Sequence, residues 1–125
     1  ALSTVLAAPD SYAVTLASTG EIVGSIALRI DTDSPEASVA DIGYWIGAPY
    51  WGNGYATEAG HAIIERAREL GVSTIILTYF DGNEASRRVS EKLGFTWRSR
   101  DEDVEYPLIG QRLTVHRTEL ALTAR

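Results

Sequence analysis

The fold of this chain is decided by residues 40–70, ADIGYWIGAPYWGNGYATEAGHAIIERAREL. The apolar run at residues 42–46 predicts a strand, and the glycines and proline that follow it predict a tight turn. From Tyr55 onward the apolar residues recur at helical spacing, and Gly71 is a typical helix stop. A strand, a glycine turn and a helix N-terminus present free backbone N–H groups and the positive end of a helix dipole, an arrangement that favours anions.

The glycines of this turn suggest a ligand that approaches the backbone closely. Gly52 and Gly54 are separated by one residue, and neither has a Cβ that would block the approach. Ala56 and Thr57 follow them, so no acidic side chain opposes a phosphate before Glu58. The pattern is neither a dinucleotide-binding fingerprint nor a P-loop, because the third glycine and the Gly-Lys-Ser/Thr sequence are absent. Taken alone, Gly-x-Gly is equally typical of an ordinary turn.

Composition limits the class of protein. With 125 residues, 45% of them hydrophobic, the sequence predicts a single domain, residues 1–125, with one core. Cysteine is absent and the two histidines, His61 and His116, lack the spacing of zinc ligands, so we expect no metal. A net charge of −6 argues against nucleic acid and anionic membranes as partners. No apolar run is long enough to span a membrane, and we expect a cytoplasmic protein.

The remaining segments predict an α+β fold. The apolar residues 1–8 are interpreted as the tail of a helix, closed by Pro9. A β-hairpin follows, in which Gly24 predicts a bulge or a close backbone approach. The predicted strands are residues 12–17, 22–30, 38–46, 73–79, 95–101 and 112–120, and the predicted helices are residues 55–70 and 84–93. This order predicts a twisted mixed sheet flanked by helices, with a parallel step across the long helix.

Two motifs resemble those of the GNAT superfamily of N-acetyltransferases. They are GYWIGAPYWGNGYATEA at residues 43–59 and NEASRRVSEKLGF at residues 83–95. In the first motif Trp51 stands where the superfamily has Gln or Arg, a substitution that the RimJ/RimL-type branch tolerates. That branch acetylates protein N-termini and various small amines. The resemblance extends over residues 12–120, and it implies the GNAT-like fold.

The resemblance implies an enzyme that moves an acetyl group from acetyl-CoA to a primary amine by direct transfer. Backbone amides of the glycine loop would hold the pyrophosphate of acetyl-CoA. The pantetheine arm would pair with the preceding strand, at a place where the two parallel central strands splay apart. The implied cofactor-binding residues are Tyr44, Trp45, Ile46, Gly52, Asn53, Gly54, Tyr55, Ala56, Thr57 and Asn83.

Acetyl transfer to an amine needs a base for the amine and a donor for the tetrahedral oxyanion. The resemblance implies that the oxyanion donor is a backbone N–H near Trp45 or Ile46. Some peptide acetyltransferases place a glutamate base at the position that is Thr78 here, and threonine cannot serve. Asp41 is therefore the first candidate base and Asp81 the second. For Asp41 the competing interpretation is an ordinary solvated acid at the end of a strand.

The departing thiolate also needs a proton. The tyrosine that often supplies it in the family falls at Ser90, so Ser90 is one candidate acid. Ser86, one turn earlier, is the other, as a serine serves in RimL-like enzymes. Ser86 could equally be a helix hydroxyl bonded to the backbone, and a water could replace either residue.

Two further expectations concern the whole chain. In the family the acceptor site is built largely by a first strand and two helices, and the sequence is expected to begin inside the last of these. We therefore expect an N-terminally truncated domain with an unpaired hairpin edge, which would favour self-association, for example as a homodimer. The alternative function is a non-catalytic GNAT-like module that binds CoA without turnover.

Overall fold

The computed structural model describes residues 2–8, 11–30 and 38–122, with residues 2–8 described by their backbone alone. Within these ranges the chain forms seven strands and two α-helices. The elements are, in chain order, β1 (Leu2–Ala8), β2 (Ser11–Leu16), β3 (Ile22–Ile30), β4 (Val39–Ile46), a 3-10 turn (Ala48–Tyr50), α1 (Tyr55–Glu69), β5 (Thr74–Phe80), α2 (Glu84–Lys92), β6 (Thr96–Tyr106) and β7 (Gln111–Ala121).

The described strands form one mixed sheet in the order β1-β2-β3-β4-β5-β7-β6. Neighbouring strands are antiparallel except for β4 and β5, which run parallel and are joined through α1. The predicted α+β architecture, with a parallel step across the long helix, is confirmed. The strand and helix that flank the glycine turn also agree with the sequence, since β4 ends at Ile46 and α1 begins at Tyr55.

The N-terminal segment differs from the prediction. The interpretation of residues 1–8 as the tail of a helix is wrong, because Leu2–Ala8 form β1, which pairs antiparallel with β2. The expected unpaired edge of the hairpin is wrong for the same reason, since β1 occupies that edge of β2. Alanine and leucine favour a helix locally, but the ladder with β2 supplies backbone hydrogen bonds along one side of the segment, and tertiary pairing outweighs propensity.

The core lies between one face of the sheet and the two helices. The buried face of α1 presents Ala59, Ile63 and Ala67, which are spaced by four residues and so lie on one side of the helix. Leu93, which directly follows α2, packs into the same core and against α1. It lies so close to Gly60 of α1 that a Cβ on this glycine would be only 2.6 Å from Leu93 Cδ1. The buried core residues are Val14, Val23, Ile26, Leu28, Ala40, Ile42, Ala59, Ile63, Ile64, Ala67, Val72, Ile75, Leu77, Leu93 and Phe95.

Gly24 has both properties that its place in a strand predicted. The register between β2 and β3 shifts next to it, between Val14 and Thr15. A Cβ on Gly24 would also lie 2.0 Å from the carbonyl oxygen of Trp45 on β4. The glycine therefore allows β3 and β4 to approach closely just before β4 enters the glycine turn.

None of the helices in the described part of the chain is long and apolar enough to cross a membrane.

Candidate active site

The parallel pair β4 and β5 separates halfway along its length. The two strands pair only from Val39 to Asp41, opposite Thr74 to Ile76, although β4 continues to Ile46 and β5 to Phe80. Beyond this point a cleft of about 280 Å³ lies between them. Its lining residues are Arg29, Ile42, Gly43, Tyr44, Leu77, Thr78, Tyr79, Phe80, Asn83, Ser86, Tyr106 and Val115. The splayed strands that the family resemblance implied are therefore present in this chain.

The backbone of β4 offers hydrogen-bonding groups to this cleft. Gly47 N–H donates to the Val23 carbonyl at 2.8 Å, so alternation along an antiparallel ladder turns the Trp45 N–H toward β3 as well. The N–H groups of Tyr44 and Ile46 consequently face the side of the cleft, where β5 has already diverged. The Ile46 carbonyl is occupied, since Trp51 Nε1 donates to it at 2.7 Å. Of the two residues proposed near the oxyanion, Ile46 and not Trp45 directs its N–H to the cleft side.

The glycine loop carries the second set of backbone donors. Helix α1 has Gly54 as its N-cap, with φ of 74° and no side chain that caps it, and its first internal bond joins Glu58 N–H to the Gly54 carbonyl. Within the described chain, the amides of residues 52–57 donate to no protein acceptor. Asn53 braces the loop through Nδ2, which donates to the Tyr50 carbonyl at 3.1 Å. Six amides at a helix N-terminus can accept an anion such as a phosphate.

Glycine is required at Gly52 and Gly54 for conformational reasons. Their φ angles of 81° and 74° lie in the left-handed region that other residues adopt only with strain. A Cβ on either glycine would meet no protein atom within 4 Å. The space beside the loop is therefore open to a ligand.

Ser86 is the predicted acid that reaches the cleft. It lies in the first turn of α2, where its backbone N–H donates to Asn83 Oδ1 at 3.1 Å, so Asn83 caps the helix and lines the cleft at the same time. Its Oγ is 2.8 Å from the hydroxyl of Tyr44, on the opposite wall. Burial raises the pKa of Tyr44 above its ordinary value, against a smaller opposing effect of the Ser86 bond. The phenol of Tyr44 therefore stays protonated at neutral pH.

The other two predicted catalytic side chains lie outside the cleft lining. Asp41 is the last residue of β4 that pairs with β5, so it stands where the strands begin to separate, and its side chain is exposed. Because neighbouring residues of a strand point to opposite faces, Asp41 lies on the face opposite to buried Ile42. Ser90 is only 2% exposed, and its hydroxyl donates to the Arg87 carbonyl at 2.7 Å.

Asp81, the second candidate base, belongs to a separate cluster. Its Oδ1 is 2.7 Å from His116 Nε2, while Trp97 Nε1 donates to His116 Nδ1 at 2.9 Å. The Trp97 bond leaves the proton of the neutral ring on Nε2, which donates to Asp81. This bond is the main reason that the pKa of Asp81 lies below its ordinary value. Both ring nitrogens of His116 are engaged in hydrogen bonds within this cluster of Asp81, Trp97 and His116.

The sequence did not predict the hydroxyl contact of Tyr44 or the His116 cluster. Tyr44 was expected to contribute its backbone alone. One signal for the side chain was available, because alternation from buried Ile42 puts Tyr44 on the helix-bearing face of β4.

Within the described residues, no group of three or more His, Asp or Glu side chains could hold a metal ion.

The chain matches an acetyltransferase family in sequence and a solved acetyltransferase structure in fold. Residues 4–96 match the family model described as the acetyltransferase (GNAT) domain. An uncharacterized N-acetyltransferase of Schizosaccharomyces pombe is 40% identical over 60 residues, which are 48% of this chain and 32% of that protein. YkkB of Bacillus subtilis, an uncharacterized protein, is 35% identical over 79 residues, which are 61% of this chain and 44% of that protein.

A solved structure extends the similarity to most of the fold. The microcin C7 self-immunity acetyltransferase MccE, crystallised in complex with acetyl-CoA and AMP, matches 90% of this chain with a TM-score of 0.77 and 22% identity. The match covers 60% of that MccE chain. The present chain thus spans less than two thirds of the length of each of these three proteins.

Proposed function

We propose, because the chain belongs to the GNAT acetyltransferase domain family, that it transfers an acetyl group from acetyl-CoA to a primary amine. One observation carries the proposal. The gap between β4 and β5 adjoins a glycine loop whose six amides have no protein acceptor in the described chain. An extended cofactor with a pyrophosphate at one end and a thioester at the other fits this succession of donors.

The cofactor would lie along β4 and end at the cleft. The pyrophosphate would bind the amides of residues 52–57, which lie in the positive end of the α1 dipole. The pantetheine arm would bind the cleft-facing N–H groups of Tyr44 and Ile46 in the manner of an added strand. Asn83 would hold the far end of the arm through Nδ2, which has no partner among the described residues, while its Oδ1 caps α2. MccE, a protein of the same fold, was crystallised in complex with acetyl-CoA, which supports acetyl-CoA as the cosubstrate.

The reacting groups would meet where the strands diverge. The Ile46 N–H is the proposed oxyanion donor, since it faces the cleft and is held on a strand. Ser86 is the proposed acid for the thiolate, because it lines the cleft, and Ser90 is the less favoured candidate because its hydroxyl is buried and engaged. Asp41 is the proposed base. It stands at the origin of the cleft on the face of the sheet opposite to α1, from which an amine could approach.

The proposal extends to the kind of acceptor and its setting. The Trp51 variant of the loop motif favours a RimJ/RimL-type enzyme, with a protein N-terminus or a small-molecule amine as acceptor. We place the reaction in the cytoplasm, where acetyl-CoA is soluble and available. A homodimer remains part of this proposal, with no interface assigned. Neither nucleic acid nor membrane is a proposed partner, since the net charge is −6.

A second candidate is a CoA-binding module without turnover. One feature of the structure favours it, because the cleft lining contains no aspartate or glutamate within the described residues. A domain without a base could still bind the cofactor through its backbone. The two candidates differ in whether CoA is released from acetyl-CoA when an amine is present.

The cofactor site is tested by a matched pair of glycine variants. Gly54 and Gly20 have the same φ of 74°, and at each a Cβ would meet no protein atom within 4 Å. Gly54→Val and Gly20→Val therefore introduce similar backbone strain, but only the former adds methyl groups beside the proposed pyrophosphate. We expect Gly54→Val to weaken CoA binding by about 1.4 kcal/mol or more, which is tenfold, in calorimetric titration. Gly20→Val should bind as the unaltered protein does.

The same titration can contradict the site. If a folded Gly54→Val variant bound CoA as tightly as Gly20→Val, the glycine loop would not be the pyrophosphate site. Circular dichroism of both variants before titration shows whether each is folded.

A further inference from the structure

We infer that the hydroxyls of Tyr44 and Ser86 form a two-step proton relay to the departing thiolate. Ser86 is the member that touches the sulfur, and Tyr44 acts through Ser86, so it is a positioning residue with a proton to give. This inference rests on the proposed acetyl transfer and adds to it a specific source for the thiolate's proton.

The two hydroxyls join opposite walls of the cleft. Tyr44 belongs to β4 and Ser86 to the first turn of α2, 42 residues further along the chain, and their oxygens lie 2.8 Å apart. Both residues line the cleft, at the end where β5 leads into α2. The Asn83 cap fixes the backbone of Ser86 through the 3.1 Å bond to its N–H. Each hydroxyl is therefore held by a rigid element, which is what a proton relay needs.

Bonds, electrons and protons balance in one turnover of the relay. The amine nitrogen forms a bond to the acetyl carbon, and the carbon–sulfur bond breaks with its electron pair going to sulfur. The sulfur takes the proton of Ser86 Oγ, and Ser86 takes the proton of the Tyr44 phenol. Tyr44 is half-buried, so water regenerates its proton, while the proton lost by the amine leaves to the base or to water. The products are the acetylated amine and CoA thiol, with no other reactant required.

The neighbouring hydroxyls are less suited to this task. Ser90 donates to the Arg87 carbonyl inside α2, away from the cleft. Tyr79 lines the cleft but stacks on His116, with ring centroids 5.1 Å apart. Tyr44 is the one hydroxyl that bonds Ser86 in the described part of the chain. Its burial also keeps the phenol protonated, as a proton source must be at neutral pH.

The relay is tested with Tyr44→Phe, Ser86→Ala and the double variant, using Tyr12→Phe as the control. Tyr12 packs against the core from β2, outside the cleft lining. Acid catalysis of this kind contributes about 100-fold or more, and water can replace part of it, so we expect kcat to fall about 10- to 100-fold in each single variant. The KM for acetyl-CoA and the calorimetric affinity for CoA should not change. The double variant should be no slower than the slower single one, because both changes remove one relay.

Two further readouts separate a relay from a structural role. The solvent deuterium isotope effect on kcat should be present in the unaltered protein and reduced in Tyr44→Phe. Hydrolysis of acetyl-CoA expels the same thiolate and needs no identified amine, so its rate should fall in parallel in the variants. Tyr12→Phe should leave all of these values unchanged.

The outcomes distinguish the relay from the proposed function. If the unaltered protein turns over acetyl-CoA and Tyr44→Phe retains its kcat, the relay is overturned while the acetyltransferase function stands. If the loss of kcat in the double variant were the product of the losses in the two single variants, the relay would be overturned in the same way. If the unaltered protein binds acetyl-CoA but releases no CoA to an amine or to water, both the relay and the proposed function are overturned.

Discussion

Backbone groups, more than side chains, form the proposed cofactor site at the scale of single residues. The cleft-facing N–H groups of Tyr44 and Ile46 and the amides of residues 52–57 require only a strand that loses its neighbour and a helix that begins at a glycine. Such groups are predictable from a sequence, because strand alternation and glycine position set their direction. Catalytic side chains are harder to predict. Ser86 and Ser90 are one turn apart, yet only the first turn of α2 reaches the cleft.

Asp41 provides the prediction at this scale. If its carboxylate takes the amine proton, Asp41→Asn should lower turnover mainly at low pH, where most of the amine is protonated and must lose a proton before it can attack. At high pH the free amine already predominates, so the variant should approach the rate of the unaltered protein. The measurement is a pH–rate profile with saturating acetyl-CoA.

Asp101→Asn is a suitable control for this profile. Asp101 is also an exposed aspartate on a strand, but it lies on β6, outside the cleft lining. A profile for Asp41→Asn that matched that of Asp101→Asn would make Asp41 an ordinary surface acid.

At the scale of secondary-structure elements, the close approach of β3 and β4 restricts which residues the sheet can accept. A Cβ on Gly24 would overlap the Trp45 carbonyl, 2.0 Å away, and backbone cannot move aside as a flexible side chain can. A Cβ on Gly43 would meet its nearest neighbour, Arg29 Nη2, at an ordinary 3.7 Å. These two glycines lie on adjacent central strands and differ in this clearance.

Stability measurements on the two alanine variants test this constraint. We expect Gly24→Ala to lower the free energy of unfolding by about 3 kcal/mol, the upper end of the usual cost of overpacking, because the clash is with rigid backbone. Gly43→Ala should change it by less than about 1 kcal/mol. Urea denaturation of both variants gives the comparison, and equal losses would show that the close approach is not a constraint on the sheet.

Periodicity predicted most of the elements, and long-range pairing explains the one that it missed. The alternation of β3 and β4 and the four-residue spacing of α1 are local signals, so they could be recognised without knowing the fold. Residues 1–8 have no such signal, because a short apolar run of alanine, leucine and valine suits either a helix or a strand. The strand conformation of Leu2–Ala8 is set by β2, a neighbour that the run itself does not reveal. The Tyr44–Ser86 contact was missed for a similar reason, since it joins residues 42 positions apart.

At the scale of the whole molecule, the protein carries a net negative charge, and its proposed cosubstrate is a polyanion. With a charge of −6, the overall field does not attract acetyl-CoA, so the local amides and the α1 dipole would have to supply the proposed affinity. The sheet makes this possible by opening between β4 and β5, beside the loop that carries those amides. In the proposed function the cleft and the loop would act as one site, although no cleft side chain in the described residues is a carboxylate.

Release of CoA thiol tests the central claim most directly. The unaltered protein is incubated with acetyl-CoA and a panel of primary amines, including peptide N-termini and small-molecule amines, while free thiol is followed with time. The account predicts amine-dependent thiol release with a matching gain of one acetyl group on the acceptor by mass spectrometry. Tight binding of CoA with no thiol release across the panel would contradict it, and would identify the chain as a CoA-binding module.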